Sequence, residues 1–204
     1  MVFGCSFSYG QALPDCHIEP RTPGPNPSEF SWVNLLGKDM GLEVVNLSHP
    51  GSSNLRILNT ILNSEIRQDD LVIVQWSFMQ RSLLFMQDKL QDIGSWVDKN
   101  ITHKFYSVHD IDDLYYHTLL HIHHADLYLK EICNNTHHFV ISYDEAHQRL
   151  LKNKPVWFNV KYNPINFYFV KKDKALDTTH PGLINHQIAA KYIKSQILKE
   201  KHDR

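Results

Sequence analysis

The residues that most constrain the fold are Leu71-Val72-Ile73-Val74-Gln75-Trp76. All but Gln75 are large and apolar, and Asp70 bounds the run. A strand that is apolar on both faces needs cover on both faces, the situation of a buried parallel sheet. The flanking sequence supplies that cover. Leu55, Leu58, Leu62 and Ile66 recur at three and four, as on one face of a helix. Trp32, Leu35, Leu36 and Met40 do the same, with Ser28 as a candidate N-cap and Gly41 as the stop. Glu43 to Leu47 reads as a strand, and Ser48 to Asn54 as a loop around Gly51. Further on, Ile111, Tyr115, Thr118, Ile122, Ala125, Leu129 and Ile132 mark a long helix, and His138 to Tyr143 another strand. Ile184, Ile188, Ala189, Tyr192, Ile193 and Ile197 mark a terminal helix.

This alternation predicts an α/β fold: three layers, α/β/α, around a central, mostly parallel sheet of about five strands. At 204 residues the chain fits one domain over 1–204. It carries an insertion around 82–135, irregular or partly helical from Ser82 to Val108 and then running through the long helix. Asp144 to Leu176 has no clear period. Glu19 to Ser28 holds Pro20, Pro23, Pro25 and Pro27, which forbid helix and favour a stiff extended loop. That loop is either a cleft wall or a plain surface connection.

Composition excludes several functions. The formal net charge is -1, so neither nucleic acid nor an anionic membrane surface is an expected partner. The longest apolar runs are far too short to span a bilayer. No basic segment precedes an apolar one at the start, so no signal peptide is read and a cytoplasmic location is expected. Cys5, Cys16 and Cys133 form no C-x-x-C pair and read as reduced thiols.

In an open parallel sheet, ligands bind beyond the carboxyl ends of the strands. Gly4-Cys5-Ser6-Phe7 follows the first apolar residues. Ser48 to Gly51 follows the second predicted strand, and Ser77 the third. Asp177-Thr178-Thr179-His180-Pro181 leads into the last helix. Four loops distant in sequence therefore converge on one expected cleft, and they bring a serine, a histidine and an aspartate. Those are the side chains of nucleophilic acyl transfer. Each also has a plain structural role open to it. Ser6 suits a turn or cap, Asp177 suits a helix cap, and Gly51 suits any turn.

These blocks resemble the SGNH hydrolases, also called the GDSL esterase/lipase family. Gly4-Cys5-Ser6 is similar to the family's G-D-S block, and the resemblance implies Ser6 as nucleophile. Asn46 to Asn54 resembles the second block, whose glycine donates a backbone N–H to the oxyanion hole; here that is Gly51. Asp177-Thr178-Thr179-His180 resembles the D-x-x-H block, implying His180 as base and Asp177 as its orienting partner. Pro181-Gly182 and His186 also look like the variants of this family that begin G-C-S-F, associated with phage and microbial genomes. For a viral chain the expected compartment is the host cytoplasm.

The third block departs from the pattern. The family carries G-x-N-D there, with the asparagine completing the oxyanion hole. This chain has Gln75-Trp76-Ser77-Phe78-Met79-Gln80-Arg81. Asn54, Ser77 or Arg81 are the available substitutes.

The resemblance implies a serine esterase acting on an acyl ester, of a carbohydrate or another small molecule, with no cofactor and no metal. Two alternatives stand beside it: an acyltransferase using the same triad, and a binding or structural protein that keeps the fold. Histidine is abundant, at 14 residues. His117, His121 and His124 fall on one helical stripe, a spacing that can place imidazoles on a metal. No carboxylate or cysteine joins them in sequence, and a solvated face is the preferred reading.

Overall fold

The computed structural model describes residues 1–18, 22–86, 88–141 and 154–202, with side chains to residue 200. Its centre is a four-stranded sheet, apart from which β2 (His17–Ile18) and β3 (Thr22–Pro23) form a short antiparallel pair. The strands of the central sheet are β1 (Val2–Phe3), β4 (Leu71–Trp76), β7 (Asn135–Ile141) and β8 (Asn163–Ile165), paired in that order and all parallel. Val2 also bridges Asn46 in parallel, which adds one more position at the edge beside β1. The predicted strand from Glu43 to Leu47 is reduced to that bridge. β1 offers two residues for pairing, so the contact is confined to Val2 N–H on Val45 O and Leu47 N–H on Val2 O. With the bridge counted, the order is that of flavodoxin-like doubly wound sheets.

β4 carries the layering. Val72, Val74 and Trp76 point into one core with Ile57, Leu58 and Ile61 of α3 (Asn54–Leu62). Tyr115, Leu119, Ile122, Ala125 and Leu129 of α5 (Ile111–Ile132) complete it. Ile73 points the other way, into a core with Trp32, Val33 and Leu36 of α2 (Trp32–Met40). Ala189, Ile193 and Ile197 of α6 (Leu183–His202) close that side. The alternation along one strand thus feeds both helical layers, as a period of two requires. Each of the Val, Leu and Ile side chains among them contributes about 1.5–3 kcal/mol by leaving water.

Three expectations change in detail. The helix after the proline-rich loop starts at Trp32, capped by Ser31, whose Oγ accepts from Asn34 N–H at 3.4 Å. Ser28 instead donates to Asp15 Oδ1, which removes it from the capping position. Between Ser82 and Val108 lie an antiparallel hairpin, β5 (Ser82–Met86) and β6 (Lys89–Ile93), and helix α4 (Lys99–Val108). They have a small core of their own, Ile93, Phe105 and Leu114. β7 starts at Asn135 rather than at the predicted His138, and the predicted end at Tyr143 falls among residues 142–153, which lie outside the described residues.

The paired histidines of β7 are structural. His137 Nδ1 meets Glu200 Oε2 at 2.6 Å, and His138 Nδ1 accepts from Trp76 Nε1 at 3.1 Å. Among the described residues no helix is long and apolar enough to cross a membrane.

Candidate active site

Beyond β1 the chain turns at once into α1 (Ser6–Tyr9), a single turn of helix with Cys5 in the N-cap position. Gly4 makes the turn possible. A Cβ there would lie 2.6 Å from Ser8 Oγ. The turn is pinned from two sides. Gln75 Oε1, at the end of β4, accepts from Ser8 Oγ at 2.9 Å. Asn46 Nδ2 donates to Ser8 O, and His49 N–H to Gly4 O. Ser6 is therefore the first residue of a helix held rigidly at the carboxyl end of the sheet. Its N–H has no intrahelical acceptor by position.

The loop after the Asn46 bridge turns at Gly51, whose φ is +78, in the left-handed region that favours glycine. The Gly51 N–H makes no hydrogen bond among the described residues. The ring of Trp96 lies against this glycine; a Cβ at Gly51 would meet it at 3.3 Å. Trp96 comes from the segment after β6. Asp92 ties that segment to the loop, with Oδ1 accepting from Ser53 N–H at 2.8 Å and Oδ2 accepting from Arg56 Nε.

The third element precedes α6. Asp177 Oδ2 meets His180 Nδ1 at 2.5 Å. Oδ1 accepts from the backbone N–H of Thr179 and of His180, both at 3.0 Å, and Oδ2 also accepts from Thr179 Oγ1. The carboxylate thus folds its own turn around itself. Thr178 sits in that turn at φ +61, a costly conformation for a β-branched residue. The surrounding structure holds it there. Tyr168 Oη donates to Thr179 O at 2.6 Å, and Leu176 N–H to Ala12 O. Asn185 and Asp173 clamp the segment from behind: Asp173 Oδ2 accepts from Asn185 N–H at 2.7 Å, and Asn185 Nδ2 donates to Asp173 O at 2.8 Å. Phe7 packs edge-on against the His180 ring, with centroids 5.6 Å apart.

Burial would by itself raise the Asp177 pKa. The hydrogen bonds from His180 and Thr179, with the imidazole charge, overcome it and bring the value down to about 2. His180 moves the other way from what its partner alone would give. Burial lowers its pKa below 6.5, against the raising influence of Asp177, and the charge of Arg81 lowers it further. At neutral pH the pair is a carboxylate and a neutral imidazole. Nδ1 faces Asp177, so it carries the proton as donor and Nε2 is left as the basic nitrogen. His186 is a different kind of histidine. It is buried, its Nδ1 accepts from Trp32 N–H at 3.0 Å, and burial pushes its pKa down to about 3.

One cleft of about 630 Å³ gathers these loops. Ser6, Gly51, Asp177 and His180 all line it, together with Arg81 and Trp96. Pro23 of the proline-rich segment lines it too. No hydrogen bond joins Ser6 to His180 among the described residues. Asn54 and Ser77 stand elsewhere. Both are fully buried and neither lines the cleft. Asn54 Oδ1 accepts from Ser77 N–H at 2.7 Å, and its Nδ2 donates to Ser77 O and Thr118 Oγ1, each at 3.3 Å. Trp96 and Tyr168 were not legible as cleft residues.

The histidine stripe has no part in the cleft. His117 pairs with Asp113 at 3.5 Å on an exposed face, while burial lowers the His121 pKa to about 4. Among the described residues no three His, Cys, Asp or Glu side chains are grouped to hold a metal.

No protein-family model and no curated protein matches the chain. Solved structures do. An acetyl xylan esterase from the rumen bacterium Butyrivibrio proteoclasticus superposes with a TM-score of 0.59 at 12% identity, over 98% of this chain and 63% of the esterase. A family two carbohydrate esterase from Clostridium thermocellum, solved with cellohexaose, gives 0.55 at 11%, over 98% and 64%. A lipolytic protein of the G-D-S-L family from Desulfitobacterium hafniense gives 0.51 at 12%, over 96% and 97%. The chain spans just under two thirds of the length of the two carbohydrate esterases. At 11–12% identity the likeness is one of fold, a parallel sheet with helices on both faces.

Proposed function

We propose that the chain is a serine esterase that hydrolyses acyl esters through Ser6, His180 and Asp177. The observation that carries this reading is the Asp177–His180 pair opening on the same cleft as Ser6, which heads a helix at the end of β1. Ser6 Oγ attacks the ester carbonyl, and His180 Nε2 takes its proton. Asp177 keeps the other ring nitrogen protonated and stabilises the imidazolium that forms. The carbonyl oxygen gains the charge and is held by the N–H groups of Ser6 and Gly51. His180 then protonates the departing alcohol, and water releases the acyl group by the same steps. The scheme uses no metal and no organic cofactor.

The substrate class proposed is an ester of a carbohydrate or another small molecule. Trp96, half exposed, and Tyr168 offer flat faces along a cleft large enough for such a ligand. The test is hydrolysis of p-nitrophenyl acetate with fluorophosphonate labelling. Wild-type protein is expected to hydrolyse the ester and to be labelled at Ser6, and Ser6→Ala to do neither. A wild-type protein that remains unlabelled, or a Ser6→Ala variant as active as wild type, removes the reading.

A further inference from the structure

The triad reading leaves the oxyanion with two backbone donors and no side-chain donor, and the residues that flank the third strand show what fills the gap. Asn54 is excluded by its bonds. Both ends of its amide are engaged in holding Ser77 and Thr118 behind the cleft wall. Ser77 is excluded by burial, and its hydroxyl already accepts a hydrogen bond from Arg81 at 2.9 Å. Arg81 does line the cleft, with Ser6, Gly51 and His180.

The guanidinium of Arg81 is fixed in place. It lies over the ring of Phe78 at 4.6 Å and over the ring of Trp96 at 4.5 Å. Nη1 donates to Ser77 Oγ and, at 3.4 Å, to the carbonyl of Ser52, the residue after Gly51. The same Trp96 ring rests on Gly51. One aromatic ring and one carbonyl thus set the guanidinium beside the backbone that carries the proposed oxyanion N–H. A guanidinium has five N–H donors in a rigid fork, and the bonds to Ser77 and Ser52 both leave from Nη1.

We infer that Arg81 is the side-chain oxyanion donor of this site, in the role that the third-block asparagine has elsewhere. The inference rests on the triad reading above. When Ser6 Oγ adds to the carbonyl carbon, the π electrons move onto the oxygen and the serine proton goes to His180. The guanidinium donates to that oxygen alongside Ser6 and Gly51 N–H. On collapse the carbonyl re-forms, the alcohol leaves with the proton from His180, and Arg81 is unchanged. Arg81 lines the same cleft as Ser6, Gly51 and His180, and its charge is felt at His180.

The experiment uses the full chain and p-nitrophenyl acetate. Arg81→Met keeps an aliphatic stem between Phe78 and Trp96 but removes every donor. Its kcat is expected to fall by about 10²–10³ with KM nearly unchanged, because the donor acts on charge that exists only in the transition state. Arg81→Ala with free guanidinium, below denaturing concentration, should recover part of the lost kcat, and Arg81→Met should not. An unchanged kcat in folded Arg81→Met, or a loss carried wholly by KM, overturns the assignment. Should Arg81→Met fail to fold, Arg81→Lys decides. An ammonium lacks the planar fork that spans Ser77 and the oxyanion in fixed geometry, so kcat should drop by about tenfold or more, and a wild-type kcat overturns the assignment. Fluorophosphonate separates the two failures. Labelled wild type with unimpaired Arg81 variants removes Arg81 alone; unlabelled, inactive wild type removes the triad and the role of Arg81 with it.

Discussion

The molecule contains two pairs built from the same parts. In each, an imidazole Nδ1 meets a carboxylate oxygen: His180 with Asp177 at 2.5 Å, and His137 with Glu200 at 2.6 Å. Their settings differ. The His137 side chain is 1% exposed, and its Nε2 meets Asn135 Oδ1 at 3.1 Å. Its carboxylate also takes Asn163 Nδ2 at 2.8 Å, so the group sews β7 and the end of β8 to α6. His180 is 17% exposed and lines the cleft, and no described residue bonds its Nε2. An acid–imidazole pair is therefore not a catalytic device in itself. What distinguishes one is a second nitrogen left for substrate, with a hydroxyl near it.

Mutation should separate the pairs sharply. Ser6→Ala and His180→Ala are expected to lower esterase kcat by about 10⁴-fold or more, with the melting temperature near that of wild type. Asp177→Asn should cost up to about 10⁴-fold, because the wrong tautomer then presents a proton to Ser6. Equal activity of Asp177→Asn and wild type would make the site a Ser–His dyad and return Asp177 to a turn-forming role. That outcome would bring the two pairs back together as structural devices.

The sealed pair should respond in the other observable. Glu200→Ala leaves His137 buried without its partner, and breaking such a pair costs about 3–5 kcal/mol of stability, seen as a lower denaturant midpoint. The surviving folded fraction should keep its kcat. Burial alone would raise the Glu200 pKa. The Asn163 hydrogen bond and the His137 and Lys161 charges outweigh it and hold the carboxyl below 4.5. A carboxyl depressed in the folded state gives stability that is present above its unfolded pKa and lost as pH falls through the folded one. Wild type should thus lose stability on acidification below about 4.5, and Glu200→Gln should flatten that loss. A catalytic defect in Glu200→Ala without a stability change would break the comparison.

The contrast also explains what was legible in the sequence. Long apolar periodicities gave the layers, because β4 and α5 are buried through their length and nothing local competes with the pattern. The four cleft blocks were legible because each is short, polar and set beside an element end. The pair at His137 and Glu200 was not, because it joins residues 63 positions apart whose spacing carries no motif. Trp96 failed for a similar reason: the hairpin that delivers it is held by Asp92 on Ser53 and Arg56, contacts between distant segments. Asn54 was legible as the last residue of the second block and a candidate oxyanion donor, not as the buried tie it is. Its fixation by Ser77 depends on how α3 meets the end of β4, which no local rule states.

The smallest effect is also the most specific. A general base must be neutral, so kcat/KM should rise with pH through the free-enzyme pKa of His180. Asp177 taken alone would put that rise at or above neutrality. Burial and the Arg81 charge outweigh it, so the acid limb should lie below 6.5 and activity should be level at neutral pH. The signs of two variants are opposite. Arg81→Met removes a charge that lowers the His180 pKa and should move the limb upward. Asp177→Asn removes one that raises it and should move the residual activity's limb downward. Each shift should be within about one pH unit, since exposed solvent at the cleft mouth screens both charges. A limb that stays fixed in both variants would mean that a different group titrates, and a limb above neutral pH in wild type would mean that Asp177 outweighs burial and Arg81 at His180.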